Sequence, residues 1–232
     1  MINQILLLDN STDESLSLID RNKDTFKHFY PELEHKVWGM EEVRSFIFDR
    51  FGKETTQAFD TLKPYAYKAD LARLCLLYEL GGFYFDIHAV PACSMIPSQK
   101  LMVFRDIQRN SFTSWAVQTN VMYSEKAQYV FQLTIEKILS NVSNKYYGIT
   151  ALCPTGPTVF GESLVKVGAN LDMIIGDFIE LTPSFSIKNN ASILPDGKIF
   201  AFGKTLSGGD INLPGSNNYG KMWFDKDIYN GD

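Results

Sequence analysis

Three side chains near the middle of the chain are spaced to do chemistry together: Tyr84, Asp86 and His88 recur at every second position. In an extended strand, side chains alternate faces, so a phenol, a carboxylate and an imidazole would leave one face about 7 Å apart. Phe83, Phe85 and Ile87 would then face a core. A carboxylate and an imidazole so placed suit a divalent cation or a shared polar ligand. The other reading of the same alternation is the solvent-facing side of an edge strand.

Just upstream, Lys68, Asp70 and Arg73 sit among Ala69, Leu71, Ala72, Leu74, Leu76 and Leu77. A segment apolar nearly all round predicts a buried helix over Lys68–Leu80. At about 100° per residue, Asp70 and Arg73 share a face and can pair. Ionised groups in so apolar a helix are costly unless paired or bound to a ligand, and the forked donors of Arg suit a carboxylate or a phosphate. A structural ion pair and a ligand-binding pair are equally compatible with these residues.

The elements that must position these groups follow from periodicity and punctuation. Ile5–Leu8 reads as a buried strand ending in Asp9-Asn10-Ser11-Thr12, whose loop falls at the sheet edge where ligands collect in α/β proteins. A helical stretch over 13–30, a strand over Leu33–Trp38 and a helix over Glu41–Phe51 ending near Gly52 give the alternation of α/β architecture. Gly81-Gly82 stops the buried helix, and Phe83–Val90 reads as the strand carrying Asp86 and His88, closed by Pro91. A strand over Val117–Tyr123, a helix over Glu125–Leu139, a loop over Asn141–Gly148 and a Pro154-Thr155-Gly156-Pro157 turn ahead of a helix follow. Short strands at Ile174–Ile175 and Ile199–Phe202 precede a Gly-, Asn- and Pro-rich tail.

The totals set bounds. A chain of 232 residues suits one domain with its own core. The 17 Phe and 11 Tyr fit a large core or a ring-lined groove. A net charge of −5 argues against a nucleic-acid binder, which must neutralise phosphates. Cys75, Cys93 and Cys153 have no metal-ligand spacing and read as reduced thiols. No segment has the pattern of a signal peptide or the length of a membrane span, so the expectation is a cytoplasmic protein, membrane-peripheral where its substrate is lipid-linked.

The run Lys68-Ala69-Asp70-Leu71-Ala72-Arg73, followed by Leu77-Tyr78-Glu79-Leu80-Gly81-Gly82-Phe83-Tyr84-Phe85-Asp86-Ile87-His88, closely resembles the sugar-binding segment of glycosyltransferase family 32. The pattern is long: a K-x-D-x-x-R helix, then L-Y-x-x-G-G-x-Y-x-D. Trp38 with the Glu-rich helix after it, Asn120 in its strand, and Thr155-Gly156-Pro157 extend the likeness over most of 1–170. The family includes bacterial capsule and lipopolysaccharide enzymes, and large toxins that glycosylate host proteins carry a similar segment.

The resemblance implies an α/β GT-A fold, Rossmann-like, with a mixed, mostly parallel central sheet and helices on both faces. It implies one domain over 1–232, with a nucleotide-sugar-binding core over about 1–170 and an acceptor side and C-terminal lid over about 171–232. The implied activity is retaining transfer of a hexose from a UDP- or GDP-sugar to a glycan or lipid-linked glycan, as in capsule or lipopolysaccharide synthesis. The alternatives are a degenerate nucleotide-sugar-binding protein and a toxin-like protein glycosyltransferase. Donor contacts are expected from Leu8, Asp9, Tyr67, Asp70, Arg73, Tyr84, Asp86, Asn120, Gly156, Ser216 and Lys221. Asp86 and Asp210 are the expected catalytic residues, with Asp106 and Asp177 as further acidic candidates. A Mn²⁺ or Mg²⁺ ion would be held by Asp86, His88 and Asn212, where His88 replaces the family's second Asp and Asn212 stands where a His is common. A tail over 215–223 closing over the donor and a C-terminal segment docked by Tyr219 and Trp223 are both open readings.

Overall fold

The computed structural model describes residues 1–9, 13–107, 111–168, 171–181, 190–203 and 217–231. The order is β1 (Ile2–Ile5), α1 (Asp13–Phe29), β2 (His35–Trp38), α2 (Met40–Thr61), α3 (Tyr65–Leu80), β3 (Gly82–Phe85) and β4 (Val90–Pro91). There follow β5 (Leu101–Arg105), β6 (Val117–Ser124), α4 (Tyr129–Ser143), α5 (Pro157–Val167), β7 (Met173–Glu180), β8 (Asn190–Ile193), β9 (Ile199–Gly203) and α6 (Tyr219–Phe224).

All the strands join one sheet in the order β2-β1-β3-β6-β5-β7-β8-β9-β4. Parallel pairing is confined to β1 with β2, β1 with β3, and β5 with β7. The other pairings are antiparallel. A mixed sheet was expected, but its mostly parallel character holds only where a helix crosses over between neighbours. From β7 to β9 the connections are too short for a crossover, and the chain returns by antiparallel pairing.

Strand alternation sorts the sheet's side chains into two cores. Tyr84 points into a cluster with Leu71, Leu74, Phe131 and Phe160, under helices α2 to α5. Phe83 and Phe85 point the other way, onto Phe26 of α1, Phe104 and Phe200. Helices therefore cover both faces.

Several boundaries differ from the sequence reading. The first strand is Ile2–Ile5 rather than Ile5–Leu8. The helix expected to stop near Gly52 resumes beyond it: Gly52 adopts φ 78°, and helix continues to Thr61. Arg44 pairs with Asp60 at 2.8 and 2.6 Å across that bend, whereas sixteen residues of straight helix span about 24 Å. The two halves of α2 therefore fold back on each other. The helix expected over Glu125–Leu139 runs over Tyr129–Ser143, because Ala127 takes a left-handed φ of 57° and delays its start.

No helix among the described residues is long and apolar enough to cross a membrane. Cys75 and Cys153 are buried thiols and Cys93 is partly buried.

Candidate functional site

Helix α3 places its charged residues as the periodicity anticipates. Asp70 and Arg73 are buried beside each other, Arg73 Nη2 lying 3.3 Å from Asp70 Oδ1. Arg73 also donates from Nη1 to the Thr119 carbonyl at 2.6 Å and to Thr119 Oγ1 at 3.0 Å, and from Nε to the Ala69 carbonyl at 3.1 Å. Its Nη1 is 3.1 Å from Asp86 Oδ1, and its guanidinium stacks over the Tyr84 ring at 4.7 Å. Tyr84 donates its hydroxyl to Asp86 Oδ1 at 2.8 Å. Lys68 turns away from this group. Its ammonium donates to the Phe59 carbonyl at 2.5 Å at the end of α2, where a cation favours the helix's negative pole.

The electrostatics follow from burial against pairing. Burial pushes the Asp70 carboxyl up, while Arg73 and Thr155 pull it back. For Arg73, burial acts to lower the pKa, but Asp86, Tyr84 and Asp70 outweigh it and hold the guanidinium above its ordinary value. Burial, chiefly, raises the Tyr84 phenol well above its usual range, so it stays a donor to Asp86.

Asp86 is fixed by its backbone as well. Its N–H donates to the Asn120 carbonyl at 2.7 Å, and its own carbonyl accepts from Gln4 Nε2 at 3.1 Å. Asn22 of α1 donates to both Gln4 Oε1 and the Ile87 carbonyl, so α1 and β1 together hold the segment after β3. That segment is a turn, with Ala89 N–H bonded to the Asp86 carbonyl at 2.7 Å. The strand expected to run to Val90 ends at Phe85, and strand alternation no longer places Asp86 and His88 on one face.

A cleft of about 610 Å³ opens over this group, within the ~300–1,000 Å³ range of small-molecule sites. The structure brings Tyr67, Asp70, Arg73, Asp86 and Asn120 together on its walls, with Tyr84 behind Asp86. Tyr67 is anchored through its hydroxyl to the Ala151 carbonyl at 2.6 Å. Gly156 backs Asp70: a Cβ there would lie 3.1 Å from Asp70 Oδ2, the oxygen that accepts from Thr155 Oγ1 at 2.8 Å. The Thr-Gly-Pro turn thus locks the α3 carboxylate.

Other expected residues lie elsewhere. Leu8 and Asp9 are not among the residues lining the cleft, and Asp9 accepts a hydrogen bond from Tyr65 at the start of α3. Lys221 is exposed on α6, paired with Asp225. His88 does not line the cleft. Asp177 pairs with Arg105 of the adjacent strand at 2.7 Å, exposed to solvent. Asp210, Asn212 and Ser216 lie outside the described residues. Sequence reasoning missed Gln118, Thr119, Glu180 and Asn190 on the sheet side; Tyr219 and Gly220 of α6, in the tail for which closing over a donor was one of two open readings, also line the cleft. An amide-bearing strand has no spacing signal. Thr119 was detectable only as the neighbour of Asn120.

Among the described residues, no three His, Cys, Asp or Glu side chains form a metal-binding group. Both oxygens of Asp70 are engaged inside the protein. Asp86 has Oδ1 engaged by Tyr84 and Arg73 and is partly exposed to the cleft. Among the described residues, Asp86 and the other cleft carboxylates do not make a cage for a resident ion. Asp86 does fit an ion that arrives with a substrate's phosphates, as Mg²⁺-type ions do.

Comparisons with known proteins find glycosyltransferases among the sequences and folds this chain resembles. Residues 15–108, under half of the chain, match the family described as "Glycosyltransferase sugar-binding region containing DXD motif". A stretch of 58 residues is 35% identical to the "Uncharacterized glycosyltransferase L373" of Acanthamoeba polyphaga mimivirus, covering 25% of this chain and 23% of that protein. The match thus spans under a quarter of that relative's length. Among solved structures, "PaToxG Glycosyltransferase" superposes with a TM-score of 0.56 at 17% identity, over 72% of this chain and 68% of that one. At that identity the likeness is one of fold.

Proposed function

We propose that this chain is a retaining glycosyltransferase of GT-A type that moves a hexose from a UDP- or GDP-sugar to a glycan or lipid-linked glycan. The observation that carries the reading is the Arg73–Asp86 pair at the wall of the cleft, inside the matched sugar-binding region. Asp86 is held at its N–H, its carbonyl and one carboxylate oxygen, so its position is set before any ligand binds. Arg73, with its donors committed to Ala69, Thr119, Asp70 and Asp86, acts as a fixed positive charge behind Asp86 rather than as a mobile phosphate clamp.

Asp86 would hold a divalent ion, Mn²⁺ or Mg²⁺, that arrives with the donor's diphosphate, and the ion would offset the charge of the leaving phosphate. In the transfer, the bond from the sugar's anomeric carbon to the phosphate oxygen breaks and its electron pair leaves with the diphosphate. The acceptor oxygen bonds to the same carbon, and its proton passes to the departing phosphate. No protein nucleophile is required. A glycan acceptor, of the capsule or lipopolysaccharide kind, is supported by the family resemblance of the Lys68–His88 segment.

The test is donor turnover, with water and with a mixture of methyl glycosides, for UDP- and GDP-hexoses with Mn²⁺ or with chelator. Turnover of one nucleotide class that depends on the ion and is lost in Asp86→Ala is the expected result. Absence of both binding and turnover for every nucleotide sugar overturns the proposal.

A further inference from the structure

The cleft has two chemically different walls. Thr119 faces α3, where it bonds Arg73 and Asp70. Strand alternation therefore turns Gln118 and Asn120, its neighbours on β6, toward the opposite wall. Near Gly203 that wall carries the Asn120 amide nitrogen, Asn190 and the Phe178 ring. It bears the amides of Gln118, Asn120 and Asn190, together with Glu180, where the first wall bears the Arg73 ion pairs.

One of these amides has its orientation fixed. Asp106, just beyond β5, accepts at Oδ1 from the Ile107 N–H at 2.7 Å. An ionised carboxylate offers acceptors only, so both bonds to that oxygen are donated to it. Gln118 bonds the same oxygen and must do so through its amide nitrogen. Its carbonyl oxygen is left without a partner among the described residues, on a side chain that lines the cleft. The usual freedom of a glutamine to turn its amide over is removed.

We propose that Gln118 is a specificity-determining residue that accepts a hydrogen bond from a sugar hydroxyl, and that Asp106 is the positioning residue that keeps its carbonyl turned to the ligand. This rests on the nucleotide-sugar reading above and adds to it the residue that reads the sugar. A fixed acceptor selects a ligand atom that carries a proton. A hydroxyl does, and the oxygens of an ionised diphosphate do not. The buried carbonyl oxygens of Asn120 and Asn190 likewise have no partner among the described residues. The ligand class is a neutral polyhydroxyl ring, bound beside the ionic wall that takes the phosphates. The hydroxyl can belong to the donor's hexose or to the acceptor.

The experiment compares wild type, Gln118→Ala, Asp106→Ala and Asp106→Asn, each first shown to melt cooperatively. Affinities are measured for UDP and GDP alone and for UDP-glucose, UDP-galactose and GDP-mannose, and KM is measured for methyl glycoside acceptors. Gln118→Ala is expected to keep its affinity for the free nucleotide within twofold and to lose at least tenfold for the nucleotide sugar. If the hydroxyl is the acceptor's, the tenfold loss falls on acceptor KM instead, with water hydrolysis of the donor retained. Asp106→Ala should follow Gln118→Ala. Asp106→Asn, which keeps an oxygen for Ile107 and Gln118, should follow wild type. Unchanged nucleotide-sugar and acceptor affinities in Gln118→Ala, or equal losses for nucleotide and nucleotide sugar, overturn the inference while leaving the transferase reading in place. A wild type that binds no nucleotide and no nucleotide sugar overturns both.

Discussion

Asp70 and Asp86 flank the same guanidinium, yet their surroundings assign them different work. Asp70 is buried, with both oxygens bonded inside the protein, by Arg73 on one side and Thr155 on the other. Replacing it by Asn leaves Arg73 buried beside a neutral partner, and the expected cost is about 3 kcal/mol of stability, read by denaturant unfolding. Asp86 is partly exposed, so Asp86→Asn should cost less than about 1 kcal/mol. It removes the charge that organises the cleft, and donor turnover should fall by about 100-fold or more. The reverse ranking, with Asp86→Asn the less stable protein, would contradict these assignments. This part of the site was legible in the sequence because ionised groups in an apolar helix need a partner. Gln118 was not, and Tyr219 was legible only as one of two open readings of the tail, because a neutral amide on a strand and an aromatic in a tail occur for many reasons. Their meaning comes from neighbours distant in the chain: Asp106 for Gln118, and Tyr67 with its ring 6.1 Å away for Tyr219.

At the scale of elements, the informative difference is the early end of β3. Alternation read correctly through Phe85 and then failed, since Asp86 to Ala89 is a turn held by side chains from β1 and α1. Such polar ties between remote segments leave no local pattern. The tie continues to β2, where His35 Nε2 lies 2.9 Å from Gln4 Oε1. The Gln4 amide nitrogen is committed to the Asp86 carbonyl, so its oxygen must accept and His35 must be the donor, in its neutral form. Burial foremost, with Lys23 adding to it, pushes the His35 imidazole down to about 4. The unfolded chain takes up a proton near its ordinary pKa of about 6.5 that the folded chain refuses. The stability contribution is therefore complete above about pH 6.5 and is lost as pH falls toward 4. The shift is equivalent to about 3 kcal/mol, and screening of a partly exposed ring reduces that to about 1–2 kcal/mol. Denaturation of wild type and His35→Gln at pH 7 and pH 4.5 should show wild type losing more on acidification, by that amount. Equal losses would remove His35 from the account. Gly161 of α5 tests element packing instead. A Cβ there would lie 1.8 Å from the Trp115 carbonyl, so Gly161→Ala must push the 111–116 strand approach off the helix. A loss of about 3 kcal/mol or more is expected in thermal or denaturant unfolding.

At the scale of the molecule, the C-terminal segment decides between a removable cover and a built-in wall. The sequence left both readings open for the tail, and 204–216 lies outside the described residues. The part that is described, 217–231, is tied down along its length. Asn217 accepts from the Tyr65 N–H at 2.9 Å and donates to the Lys63 carbonyl, and Trp223 Nε1 donates to the Tyr147 carbonyl at 2.7 Å. Ile228 and Tyr229 are fully buried in the main core, and Lys63 N–H bonds the Ile228 carbonyl at 2.9 Å. This segment holds Tyr219 at the cleft rim as part of the folded unit. Two substitutions separate the contributions. Ile228→Ala removes buried methyl and methylene groups from a filled core, and its expected cost is about 2–4 kcal/mol. A segment that opens freely would lose far less. Tyr219 is partly exposed and its ring is tilted against Tyr67, so Tyr219→Ala should cost about 1 kcal/mol or less while weakening nucleotide-sugar affinity measurably. A large stability loss at both positions would make the segment structural throughout. Little loss at Ile228 would restore the lid, because only an undocked tail can shed a buried isoleucine without consequence to the core it leaves.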